Sequence, residues 1–193
     1  GVEQDYKEAM KWYQLAAKQG DADAQNWIGV MYDHGDGVEQ DYKEAMKWYQ
    51  LAAKQDDPWA YYNIGSLYTE GKGVERDYTE ALRWYIKVLD NKYSDSDLLT
   101  DVSWSLYTMS EYELSIQANE KAVDLGNRLA VNNMGEYYEL GEAVKRDLNK
   151  AFDYYAQASG YGELFGYYNL ARHHFLGLNK NSNYEQALRS INN

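Results

Sequence analysis

The chain contains no cysteine. Disulfides, thiolate metal sites and cysteine nucleophiles are therefore excluded, and the composition fits a reducing compartment such as the cytoplasm. Proline occurs once, at Pro58, so almost nothing interrupts helices. Histidine occurs three times and phenylalanine three times. No apolar run approaches the ~18 residues needed to cross a membrane. Basic charge is short: 19 Lys and Arg stand against 31 Asp and Glu, a net −12. Phosphate backbones and anionic lipid surfaces are bound through basic patches, so nucleic acid and membrane insertion are not expected partners. A basic protein partner is compatible with this charge, and so is plain solubility.

What is present is repetition. Residues 1–19, GVEQDYKEAMKWYQLAAKQ, return unchanged at 37–55, and a looser copy begins at Gly73. A fixed period of this length is the signature of stacked repeats. The aromatic content, 21 Tyr and 6 Trp, suits a thin stack whose side chains run from core to surface.

Within one repeat, Asp5–Gln19 reads as a helix, with Tyr6, Ala9, Met10, Tyr13, Ala16 and Ala17 on one face. Asp5 with Glu8 reads as an N-cap and capping box, repeated as Asp41/Glu44 and Asp77/Glu80. Gly20 ends the helix. A second helix follows over residues 21–34, with Ala24, Trp27, Ile28, Met31 and Tyr32 as its stripe. Gly29 sits inside it, where glycine costs roughly 1 kcal/mol against alanine, so a neighbouring helix is expected to come close there. Gly65 and Gly135 hold the same place. The Gly-x-Gly-Val loop follows, its valine expected to plug into the core.

The run A-x-A-Q-N-x-I-G-x-x-Y-x-x-G-x-G-V-x-x-D-Y-x-x-A-x-x-W-Y resembles the Sel1-like repeat family, a branch of the tetratricopeptide superfamily. The resemblance covers Gly1–Leu89 and resumes over Ala130–Gly177 through Asn133, Met134, Gly135, Tyr138, Gly141, Val144, Asp147, Ala151 and Tyr154. It restarts at Asn183, Tyr184 and Ala187. It implies an all-α fold: a right-handed superhelix, or solenoid, of stacked antiparallel hairpins, about eleven helices over residues 1–193. Residues 90–125 depart from it. There Trp104 aligns with the packing glycine, the Gly-x-Gly-Val loop is missing, and Ala118-Asn119 replaces Trp-Tyr. The chain opens at Gly within a repeat, so further sequence, a signal peptide for the periplasm or export included, is expected upstream. Neither end carries a polar capping helix, which leaves the ends open to another copy.

No chemistry is written in these residues. His173 and His174 are adjacent, about 100° apart on a helix, and cannot share one metal on that face. No metal or cofactor fingerprint is present. The glycine loops carry no P-loop lysine and follow helices rather than strands. The repeating Trp-Tyr pairs read as packing between repeats. An enzyme is not expected.

In the resembled family the helix holding the packing glycine lines the concave face, and members serve as scaffolds in bacterial signalling, secretion and host interaction. Steps of three and four from that glycine then give the candidate partner-binding residues. They are Asn26, Val30 and Asp33 in the first repeat; Tyr62, Ser66 and Thr69 in the second; Asp101, Ser105 and Thr108 in the irregular unit. Asn132, Glu136 and Glu139 follow in the fourth, and Tyr168, Arg172 and Phe175 in the fifth. These differ from repeat to repeat while core positions do not. A partner-specific surface varies in this way, and so does a neutral solvated face. The acidic and aromatic members suit a protein or peptide with basic and apolar side chains. Asn26, Asn63 and Asn132 are placed to clamp a peptide backbone. The expected function is a non-catalytic adaptor. The alternative is a bacterial immunity protein that neutralises a basic toxin.

Overall fold

The computed structural model describes residues 2–178. Among them the regular elements are all α-helices: α1 (Val2–Ala17), α2 (Ala22–His34), α3 (Tyr42–Ala53), α4 (Pro58–Glu70), α5 (Tyr78–Asp90), α6 (Ser96–Thr108), α7 (Tyr112–Asp124), α8 (Arg128–Leu140), α9 (Leu148–Gly160) and α10 (Leu164–Leu176). The predicted all-α class of stacked hairpins holds. The eleventh helix, expected to begin near Asn183, lies outside the described residues. The helices gather into two compact units divided between Ser94 and Asp95, within the long polar connection after α5. In each unit every helix packs on its neighbours in sequence.

In the first unit, α1–α5, the first core joins Met10, Ala17, Ala24, Ile28 and Met31, with Trp48 of the next repeat packed on it. The second joins Ala45, Met46, Tyr49, Ile64 and Leu67, with Trp84 packed on it. Trp48 and Trp84 thus each cover the repeat before their own. The loop valines plug these cores as expected: Val38 the first, Val74 the second and, in the second unit, Val144 a third around Ile116, Met134 and Tyr137.

Caps set the start of the helices. Asp41 accepts from the N–H groups of Lys43 and Glu44 at 2.9 and 3.0 Å, and Asp77 from Glu80 at 3.0 Å. The reciprocal arm of the capping box does not form. The Asp41 N–H bonds to the Tyr32 carbonyl at 2.9 Å, and Glu44 turns outward to Lys47 at 2.6 Å. Asp5 is not a cap, because α1 begins at Val2. The same four residues, VEQD, are helical at 2–5 and non-helical at 38–41. At 38–41 the Asp41 N–H bond and the bond from Gln40 Nε2 to the Asp33 carbonyl at 2.6 Å hold the non-helical lead-in against α2.

Candidate functional site

Counting from each N-cap, one small residue falls at the same place in every even-numbered helix. It is Gly29 after Asp21, Gly65 after Asp57, Ser103 after Asp95, Gly135 after Asn127 and Ala171 after Glu163. The glycines are close-approach points. A Cβ on Gly29 would lie 2.5 Å from the Tyr49 ring, on Gly65 2.6 Å from Tyr85, and on Gly135 2.5 Å from Tyr155. These three tyrosines are among the largest fully buried side chains.

The irregular hairpin corrects the sequence alignment. Ser103, not Trp104, holds the packing position; Ser103 is 1% exposed and Trp104 66%. Asp95 fixes the phase by capping α6, accepting from Asp97 and Leu98 N–H at 3.0 and 2.8 Å. Opposite Ser103 stands Asn119 in place of the tyrosine, donating to Ser103 Oγ at 2.6 Å. Ser115 and Tyr137 complete this buried network, bonded to each other and to Ser103. A serine–asparagine pair therefore fills the space that glycine and tyrosine fill elsewhere. The same phase moves the candidate face of α6. The equivalents of Asn26, Val30 and Asp33 are Thr100, Trp104 and Tyr107, one residue before Asp101, Ser105 and Thr108.

Each buried tyrosine sends its hydroxyl to the face. Tyr49 donates to Asp33 at 3.1 Å, Tyr85 shares a bond with Thr69 at 3.2 Å, and Tyr155 donates to Glu139 at 2.8 Å. Burial, and then the neighbouring carboxylate, pushes Tyr49 and Tyr155 far above the usual phenol range, so both stay protonated donors. A conserved-phase core residue thereby orients a variable face residue.

The asparagines act differently from expectation. Asn26 and Asn132 are buried, and each accepts from an asparagine of the following repeat, Asn63 at 2.9 Å and Asn169 at 3.0 Å. Asn132 also donates to Glu136 at 3.2 Å. These amides tie successive even-numbered helices together rather than standing open to a peptide. Val30 and Tyr62 are half-buried, Val30 against the second core and Tyr62 tilted on Tyr85 at 6.0 Å. Ser66 bonds Glu70 and Thr69 bonds the Gly65 carbonyl, both within α4. In α6, Ser105 and Thr108 likewise bond backbone carbonyls of their own helix. Asp101 is exposed, and its carboxyl is pushed up by partial burial and then by Asp97 and Asp95. Tyr168 and Phe175 are exposed at 67% and 70%.

The second unit brings four candidates together. Glu139 Oε2 receives Tyr155 of α9 and, from α10, Arg172 Nη2 at 2.5 Å and His173 Nε2 at 3.1 Å. Burial raises the Glu139 carboxyl, but the bonds from His173 and Tyr155 and the Arg172 charge outweigh it and hold it below the usual range. Glu136 beside it is raised: partial burial outweighs the bonds from Asn132 and Asn169. His173, fully buried, and Tyr155 are members that sequence reasoning missed. Tyr155 was detectable, because it shares the phase of Tyr49 and Tyr85; nothing in the repeat pattern marks His173. Trp104 was missed through the one-residue misalignment.

Stacked helical hairpins with a small-residue contact at fixed phase define an α-helical repeat protein of the solenoid class. The chain belongs to the Sel1 repeat family: the family's sequence model, described as Sel1 repeat, matches residues 1–21, 22–57, 60–90, 128–159 and 164–189. The unmatched span coincides with α6 and α7. No curated protein matches the sequence. Among solved structures, a Sel1 repeat protein from Oxalobacter formigenes is 32% identical over 96% of this chain and 77% of its own, with a TM-score of 0.78. A protective antigen of uropathogenic Escherichia coli displaying an SLR fold is 29% identical over 96% of this chain, with a TM-score of 0.77; this chain spans 40% of its length. An immunity protein from Pseudomonas aeruginosa is 26% identical over 90% of this chain and 64% of its own, with a TM-score of 0.53. Sel1 repeat proteins typically mediate protein–protein interaction. Among the described residues no helix is long and apolar enough to cross a membrane.

Proposed function

We propose that the chain is a non-catalytic adaptor that binds a protein or peptide through its even-numbered helices, α2 and α4 in the first unit and α6, α8 and α10 in the second. The observation that carries this reading is the contrast between two phases of the same helices. The packing phase repeats glycine, serine or alanine, while the face phase changes at every repeat and is oriented by buried tyrosines. Side chains fixed before a partner arrives lose less entropy when it binds. Asp33, Glu136 and Glu139 supply acceptors, and Val30, Tyr62, Trp104, Tyr168 and Phe175 supply apolar area. The fitting partner carries basic and apolar side chains, with Trp104 as the natural anchor.

Peptide-display selection tests this directly. The parent chain is expected to enrich sequences that combine Lys or Arg with aliphatic or aromatic residues. A variant carrying Glu136→Lys and Trp104→Ala is expected to lose that enrichment. Equal enrichment by both proteins contradicts the assignment of the face.

A second reading is favoured by the likeness to the Pseudomonas aeruginosa immunity protein and by the net charge of −12. In it the partner is a single basic toxin, held one-to-one. An immunity complex is tight and forms fast at low salt, whereas an adaptor exchanges its ligands. The salt dependence of the association rate with a cognate partner separates the two.

A further inference from the structure

The identity of the first two repeats makes every departure from them visible, and several departures meet at one place. The copies first part at Gly20 against Asp56. Gly20 has φ +90°, and the matching turns of the second unit keep glycine, Gly126 and Gly162. Asp56 takes the same left-handed conformation, φ 61°, with a Cβ. A strained position held by a side chain invites the question of what that side chain does. Its carboxylate accepts the Tyr61 hydroxyl at 2.6 Å, and its carbonyl accepts Asn91 Nδ2 at 2.8 Å. Tyr61 itself replaces Gln25 of the first copy.

Three further changes surround the same point. Lys87 stands where both earlier copies have leucine, Leu15 and Leu51. Its ammonium lies over the Trp84 ring at 4.4 Å and the Tyr61 ring at 5.2 Å. Asp90 replaces Lys18 and Lys54. The connection from there to the next N-cap is lengthened and supplies Lys92, whose ammonium lies over the Tyr93 ring at 4.7 Å. Together these groups line an open cavity of about 450 Å³ in the first unit.

Two lysines and two aspartates thus line one cavity, and among the described residues none of the ion pairs joins them. The lysines are seated on aromatic faces, and Asp56 is held by Tyr61. The charges balance without meeting. A simple anion here would face Asp56, Asp90 and the charge of the whole chain, and a simple cation would face both lysines. A molecule carrying both charges meets neither penalty, and the half-open Tyr93 ring, 69% exposed, offers its apolar part a surface. The volume lies within the range of small-molecule sites. We propose that this cavity binds a net-neutral zwitterion of amino-acid size, its carboxylate at Lys87 and Lys92 and its ammonium at Asp90 and Asp56.

The test is a titration of the isotope-labelled chain with each common α-amino acid at millimolar concentration, read by amide chemical shifts. At least one is expected to shift the amides of 56–61 and 87–93 saturably. Asp56→Gly and Lys87→Leu restore the residues of the earlier copies, so both variants are expected to keep the parent's circular dichroism. Each is expected to weaken binding about tenfold or more. Three results overturn the proposal: no amino acid shifts these amides, the shifts cluster elsewhere, or both variants bind as the parent does.

Discussion

At the residue scale, the repeat rests on a glycine met by a tyrosine. Gly65→Ala places a methyl group 2.6 Å from the Tyr85 ring. The helix gains roughly 1 kcal/mol of propensity. Overpacking a buried contact costs about 1–3 kcal/mol, and Tyr85, being fully buried, has nowhere to move. A net loss of up to about 2 kcal/mol in urea unfolding is expected. Glu139 is the second test at this scale. Its carboxyl is held below its ordinary value, so its bonds to Tyr155, Arg172 and His173 contribute stability that is present at neutral pH. That stability is lost as the pH falls through the depressed value. Glu136, raised by burial, works in the opposite sense and takes up its proton first. Glu139→Gln should cost about 1–3 kcal/mol at neutral pH, the range for a buried hydrogen bond to a charged group. It should also flatten the acid limb of the stability–pH curve. An unchanged acid limb would show that Glu139 is not the group responsible.

At the scale of the element, the α6–α7 hairpin solves the same packing problem with different residues. Asn119 and Ser103 fill together the space of a tyrosine and a glycine. Asn119→Tyr alone would drive a ring into Ser103, and Ser103→Gly alone would remove the shortest bond of the buried Asn119 amide and leave it only the longer ones to Tyr137 and Asn133. The double variant rebuilds the glycine–tyrosine contact. A double-mutant cycle should therefore show a favourable coupling of about 1–3 kcal/mol, the range for residues in contact; additive effects would refute the equivalence of the pairs. This hairpin also marks the limit of what the sequence discloses. Gly29, Gly65 and Gly135 were legible as contact points because glycine inside a helix has few other uses. Ser103 was not, since the polar run Ser94–Asp97 offers several caps and only the structure selects Asp95. Likewise VEQD reads as one local structure and takes two, helical at 2–5 and non-helical at 38–41, where bonds to Tyr32 and Asp33 of α2 hold it in a way that local propensity does not encode.

At the scale of the whole molecule, the all-α repeat class was legible from periodicity, because a recurring pattern of apolar residues at helical spacing buries the same face in each repeat. The face was legible only as a phase. Which members are open, which tie repeats together and which orient one another depended on partners distant in sequence, as Asn26 with Asn63 and Glu139 with Arg172 show. The central claim is that this face, and not the surface of the odd-numbered helices, receives a protein partner. Amide hydrogen exchange with and without a display-selected peptide tests it most directly. Slowed exchange confined to α2, α4, α6, α8 and α10 is the predicted result. Protection centred on α3, α5, α7 and α9 would contradict it.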